Sequence, residues 1–282
     1  MAQVKIVTDS NAYFTDPDLV SRLGIEIVPL VIRIGQHSYQ EGVNLSTDAS
    51  LRKLAQDASN VSVEAPTVTD YAAFLRRVSR SSDRIVCIHL STSLNDVAEV
   101  ARRAANTMLG RQRIVVLDTA TTSAGLGLIV EAAAQAAVRG EEAGEIERIV
   151  RGMIPHMYAL FFSDSLHYLE SWGRLGAAQA MLGTMLGLKP LATMEDGDLL
   201  PIEKVRNYGH AVDKLHDFII EFPRIEQLFV LQHDFEAEAA QLLERLEIIY
   251  PQRQFPVIDY PPSLAVHLGP KALGVIVYEG TR

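Results

Sequence analysis

The stretch 84–122, RIVCIHLSTSLNDVAEVARRAANTMLGRQRIVVLDTATT, decides the fold. It opens on an unbroken apolar run, Ile85-Val86-Cys87-Ile88, and turns polar at Ser91-Thr92-Ser93. An amphipathic segment follows over 94–109, and a second apolar run, 113–117, ends in Asp118-Thr119. Continuous rather than alternating apolar strands are buried on both faces, and two of them joined by a helix-length crossover run parallel. The stretch therefore reads as strand, helix, strand of a parallel sheet covered by helices.

Working outward, the same unit recurs towards the N-terminus. Residues 4–8 form a short apolar run ending in Asp9-Ser10-Asn11, and Asp16-Pro17 signals a helix start closed by Gly24. The β-branched run 25–34 reads as one strand. Helices are expected from Ser46 or Thr47 to about Ala58, and over 70–81 behind a Thr69 cap. Residues 124–139 form a helix ended by Gly140, and 142–156 a connecting helix.

Beyond it the pattern changes. Residues 157–163 read as a strand, 165–170 as a short helix, 177–186 as a helix and 188–194 as a strand. Asp196-Gly197 is a hairpin turn into a strand over 199–205. A helix over 208–222, a strand over 228–232, a helix over 235–247 and strands over 254–258 and 272–278 complete the chain. The expected class is α/β: an N-terminal mostly parallel sheet with helices on both faces, over 1–155, and a C-terminal α+β domain with a mixed or antiparallel sheet, over 156–282.

The 282 residues are 48% hydrophobic and 22% charged, with net charge −9. The composition is that of a globular protein, and the charge disfavours nucleic acid. The densest basic stretch, Arg76-Arg77-Val78-Ser79-Arg80, falls at a predicted helix end, where cations offset the dipole. The single cysteine, Cys87, sits in a strand and reads as a small buried hydrophobe. The N-terminus lacks a signal-peptide pattern, and no apolar run reaches bilayer length, so a soluble cytoplasmic protein is expected.

In an open parallel sheet, ligands bind beyond the carboxyl ends of the strands. Three such ends carry small polar residues: Thr8-Asp9-Ser10, Ser91-Thr92-Ser93, and the run from Asp118 to Ser123. One such turn is explained by helix capping alone. Three on one edge read together as a donor-rich rim for an anionic or polar head group, helped by helix N-termini. Gly-x-Ser-x-Gly and Walker loops are absent, Gly125-x-Gly127 lacks a third glycine, and the histidines show no paired metal spacing. No cofactor and no metal is expected. Arg174, Arg206 and His267 are basic groups in distinctive settings that spacing alone does not tie together.

Motif order completes the reading. Thr8-Asp9-Ser10, Ala65-Pro66-Thr67, Leu90-Ser91-Thr92-Ser93-Leu94 and Asp118-Thr119 with Ser123-x-Gly125 follow one another. They lead to Leu166-x-Tyr168-Leu169-Glu170-x-x-Gly173-Arg174-Leu175, Lys189-Pro190-Leu191, the Gly197 hairpin, Lys204-x-Arg206 and His267-x-Gly269-Pro270-x-Ala272-x-Gly274. This series resembles the DegV family from Lys5 to Val277. The resemblance implies a fatty-acid carrier rather than an enzyme. The carboxylate would meet N-domain hydroxyls and the acyl chain an apolar tunnel in the C-domain. A partner fatty-acid kinase would phosphorylate the bound lipid, with Arg174, Arg206 and His267 as the neighbouring basic residues. Membrane contact would be at most transient.

The implied carboxylate ligands fall on Val63 and Asn95. The family has Thr-Ser-Gln-Pro where this chain has Val63-Glu64-Ala65-Pro66, and Ser-Gly-Thr where it has Asn95-Asp96-Val97. Asn95 can donate through its amide, whereas Val63 offers only backbone. Thr67, Ser91, Ser93, Asp9, Ser10 and Ser123 complete the expected ligand-binding set. Burying roughly 14 methylenes at about 0.8 kcal/mol each would favour binding by on the order of 11 kcal/mol before ordering costs. Two alternatives remain at this level: a kinase-related α/β enzyme using Asp9, Asp118 or His267 as acid–base groups, and a lipid-sensing regulatory protein.

Overall fold

The structure is a computed structural model that describes residues 3–44, 46–56, 61–108, 113–171, 173 and 176–281. The first part of the chain runs β1 (Lys5–Asp9), α1 (Leu19–Leu23), β2 (Glu26–Val28), β3 (Val31–Ile34), β4 (His37–Gln40), α2 (Thr47–Gln56) and β5 (Val61–Glu64). It continues with α3 (Val68–Val78), β6 (Arg84–His89), α4 (Val97–Asn106), β7 (Arg113–Asp118), α5 (Ser123–Val138) and α6 (Ala143–Met153). A 3₁₀ turn, Ile154–His156, leads to β8 (Met157–Ser163), α7 (His167–Ser171), α8 (Ala177–Met185), β9 (Lys189–Glu195) and β10 (Asp198–Val205). The chain ends with α9 (Tyr208–Ile220), β11 (Gln227–His233), α10 (Glu236–Ile249), β12 (Val257–Ile258), α11 (Pro262–Leu268) and β13 (Ala272–Tyr278).

Among the described residues the strands form three sheets. The first, β2-β1-β6-β7, is parallel throughout. Its buried runs, such as Ile85–Ile88, explain why the strands carry no alternation. Two packed helix pairs, α3 with α4 and α5 with α6, flank it. The strand order reverses between β1 and β6, which makes the crevice beyond Asp9 and His89 the topological switch point. The second sheet, β10-β9-β8-β13-β11-β12, is antiparallel except for β11 with β12. The α/β class with a parallel and a mixed sheet is thus as expected.

The third sheet, β4-β3-β5, is antiparallel and was not expected. The run 25–34, read as one strand, is two: β2 belongs to the parallel sheet and β3 to the small one. Pro29 lies between them, where a residue without an N–H cannot continue a ladder. Two shorter differences accompany this. The first helix starts at Leu19 rather than after Asp16, and α3 is capped by Thr67 rather than Thr69. His267 lies in α11, which Pro262 starts at the first helical position. Residues Leu109 and Ala58, expected as helix ends, lie outside the described residues.

The largest apolar core joins the parallel sheet to the face of the second sheet that carries Ala159 and Phe161, and to α11 through Leu264 and Val266. A second core lies between the other face of that sheet and α9 and α10, around Phe162, Leu215 and Leu242. Period-2 alternation along β8 sends Phe161 to one core and Phe162 to the other.

Candidate functional site

The three polar turns meet at one edge of the parallel sheet, and their side chains bind mainly one another. Asp9 is fully buried. One carboxylate oxygen accepts from the Asn11 backbone N–H at 3.0 Å, and the other from Leu90 N–H at 3.0 Å and His89 Nδ1 at 2.9 Å. His89 Nε2 lies 2.6 Å from the Tyr71 hydroxyl. The network is satisfied when Nδ1 donates to Asp9 and Nε2 accepts from Tyr71. Burial pushes the Tyr71 hydroxyl well above its ordinary range and the Cys87 thiol up to about 12. This chain crosses the switch point and locks the end of β1 to the end of β6.

Asn11, also buried, ties the third turn to the first. Its Oδ1 accepts from Thr122 Oγ1 at 2.8 Å and from Ser123 N–H at 2.7 Å. The N-cap of α5 is thus supplied in part from over a hundred residues away, since Thr122 makes no side-chain cap of its own. Ala120 and Ser123 both sit at φ 51°, a left-handed conformation uncommon for residues with a Cβ, which marks this turn as held by its surroundings. Tyr13 N–H donates to Ser123 O at 3.2 Å, and a Cβ at Gly127 would stand 1.7 Å from Tyr13 O. Gly127 therefore exists for close packing of α5 on the first turn. Thr8 Oγ1 and Ser123 Oγ are buried with no hydrogen-bond partner among the described residues.

Ser10 and Glu41 reach across to α11. Ser10 Oγ donates to Glu41 at 2.6 Å and accepts from Leu30 N–H. The other Glu41 oxygen accepts from Ser263 N–H at 2.7 Å, and Asn11 Nδ2 donates to Ser263 Oγ at 2.9 Å. Burial outweighs these hydrogen bonds and pushes the Glu41 carboxyl up to about 7. The far end of α11 is held by Ser163 Oγ on Leu268 O, so buried His267 rides on a helix fixed at both ends.

The β9–β10 hairpin closes the rim. Ser91 Oγ donates to Gly197 O at 2.5 Å. Gly197 has φ 84°, and a Cβ there would lie 2.5 Å from Ser91 Oγ and 3.1 Å from Ala120. Asn95 Nδ2 donates to Val63 O at 3.1 Å, while its Oδ1 accepts from Val97 N–H. Asn95 and Val63 are thus brought together, with one of the two Asn95 amide N–H groups taken by the Val63 carbonyl. Glu64 points away to a two-bond ion pair with Arg33, which holds its carboxyl below the usual range.

The other expected residues fall elsewhere. Thr67 is exposed and accepts from Asp70 N–H as the cap of α3. Ser93 is exposed on the turn whose Ser91 it backs. Arg206 is exposed just after β10. Arg174 lies outside the described residues. Asn11, Glu41 and Ser263 were not singled out in the sequence. Asn11 had a weak signal, its place in the Asp9-Ser10-Asn11 turn; Glu41 and Ser263 had none, because their meeting depends on tertiary packing. Among the described residues no group of acidic, histidine or cysteine side chains could hold a metal ion.

The sequence profile described as "Uncharacterised protein, DegV family" matches residues 3–280. The chain belongs to the DegV family. Among DegV relatives, a DegV domain-containing protein of Streptomyces coelicolor is 34% identical, covering 97% of this chain and 98% of the relative. Among solved structures, a fatty-acid-binding DegV protein of Thermus thermophilus superposes with a TM-score of 0.83 at 25% identity, over 99% of this chain and 100% of that one. The Streptococcus pneumoniae Fatty Acid Kinase B3 protein, solved with linoleic acid, gives a TM-score of 0.81 at 19% identity, over 99% and 100% of the two chains. At that identity the last match speaks to the DegV fold alone.

Proposed function

We propose that this DegV protein is a lipid carrier: it binds an acyl chain, with the polar end at the rim of the three turns, and hands the bound lipid to a partner kinase. The observation that carries the reading is family membership over residues 3–280 together with a full-length structural match to a fatty-acid-binding relative. The convergence of buried Ser91, Asn95 and Ser123 at the switch point supports the placement of the polar end. The kinase step rests on the motifs that carry Arg174, Arg206 and His267. Residues 1–155 would form the head-group domain and 156–282 the acyl-chain domain. The protein would act in the cytoplasm, and no helix among the described residues is long and apolar enough to cross a membrane.

The competing enzyme reading needs acid–base groups with free capacity. Asp9 already accepts three hydrogen bonds, and Asp118 accepts from Thr92 and from Ala120 N–H. Both carboxylates act as turn locks, which favours carrier over catalyst. Protein purified gently and then denatured should release an acyl lipid detectable by mass spectrometry. Substituting Arg206→Ala should leave that lipid in place and impair kinase-coupled phosphorylation. Empty protein would contradict the carrier reading; loss of lipid in the variant would make Arg206 a binding residue instead.

A further inference from the structure

We infer that the polar end of the bound lipid is uncharged at this rim, either a protonated carboxylic acid or a neutral head such as an alcohol. The inference rests on the carrier reading and specifies the ligand class of that same site. Three observations carry it. The first is donor capacity. One N–H of the Asn95 amide donates to Val63 O, leaving a single amide donor there, and Val63 itself has no hydroxyl. The Ser91, Thr119, Thr122 and Ser10 hydroxyls donate to Gly197 O, His89 O, Asn11 Oδ1 and Glu41. A carboxylate accepts only, and needs several donors at once when buried.

The second is charge. Asp9 and Asp118 lie in the turns, Glu41 is bonded to Ser10 of the first turn, and the turn residues 8–11, 91–97 and 118–123 include no lysine or arginine. His89 is already held between Asp9 and Tyr71. A ligand carboxylate placed among like charges in a water-poor site favours its protonated form. The third is the pair Thr8 Oγ1 and Ser123 Oγ, buried and without a partner among the described residues. A hydroxyl both donates and accepts, which suits an uncharged O–H head.

The test uses the full chain, delipidated, with dodecanoic acid and dodecanol below their aggregation concentrations. Equilibrium binding is measured for both between about pH 6 and about pH 8. Carboxylic acids ionise well below that range, so binding of the protonated acid should weaken about tenfold per pH unit relative to the alcohol. The acid-to-alcohol ratio is the readout, which cancels titration of protein groups such as Glu41. A ratio independent of pH, with the acid binding better throughout, overturns the inference and leaves the carrier reading standing. If neither ligand binds, the carrier reading fails and the inference with it.

Discussion

Asp9, Asn11 and His89 are polar and fully buried, whereas Met181, Leu182, Met185 and Leu186, on α8 and at its C-cap, are apolar and 60–73% exposed. The first group is buried because each of its members completes the others' hydrogen bonds, as the Asp9–His89–Tyr71 chain shows. The second group has no such constraint and contributes little burial. Composition thus fails to tell inside from outside at both places. Partnering decides the first, and the absence of an opposing layer among the described residues decides the second.

The sharpest way to break this contrast is Asp9→Ala. It strands His89 Nδ1 and two backbone N–H groups in a dry site, and should lower stability by about 3 kcal/mol or more in chemical denaturation. A loss below about 1 kcal/mol would mean that water replaces the carboxylate and that the switch point is not sealed.

Glu41 gives the next largest effect. Its carboxyl is raised to about 7 in the folded protein, so the folded state keeps a proton that the unfolded chain gives up at lower pH. Stability should therefore fall as pH rises from about 4.5 to about 7, by up to about 3 kcal/mol, and level off above. Glu41→Gln should flatten that segment of the denaturation-versus-pH curve; an unchanged slope would assign it to another group. The smallest effect belongs to α8, where Met185→Ser should change stability by less than about 0.5 kcal/mol in the same assay. A larger loss would show that this face is covered.

Much of the fold was legible because it rests on local patterning. The buried runs 85–88 and 157–163, the helix-length crossovers and the Gly197 hairpin each follow from residue type and spacing. The split of 25–34 was signalled by Pro29 and outweighed by its β-branched neighbours. The small antiparallel sheet escaped because β4, His-Ser-Tyr-Gln, is polar and exposed, with no apolar period to read. At the rim, the turn residues were legible but their partners were not. That Glu41 would reach Ser263, 222 positions away, or that Asn95 would donate an amide N–H to Val63, depends on tertiary packing that no local motif encodes.

The central claim is that this DegV protein holds a lipid with its polar end at the three turns. A crystal structure of protein purified without added ligand tests it most directly. Unbiased density for an extended acyl chain, ending beside Ser91, Asn95 and Ser123, is the predicted result. An empty pocket, or a chain whose polar end lies away from those residues, would contradict the account.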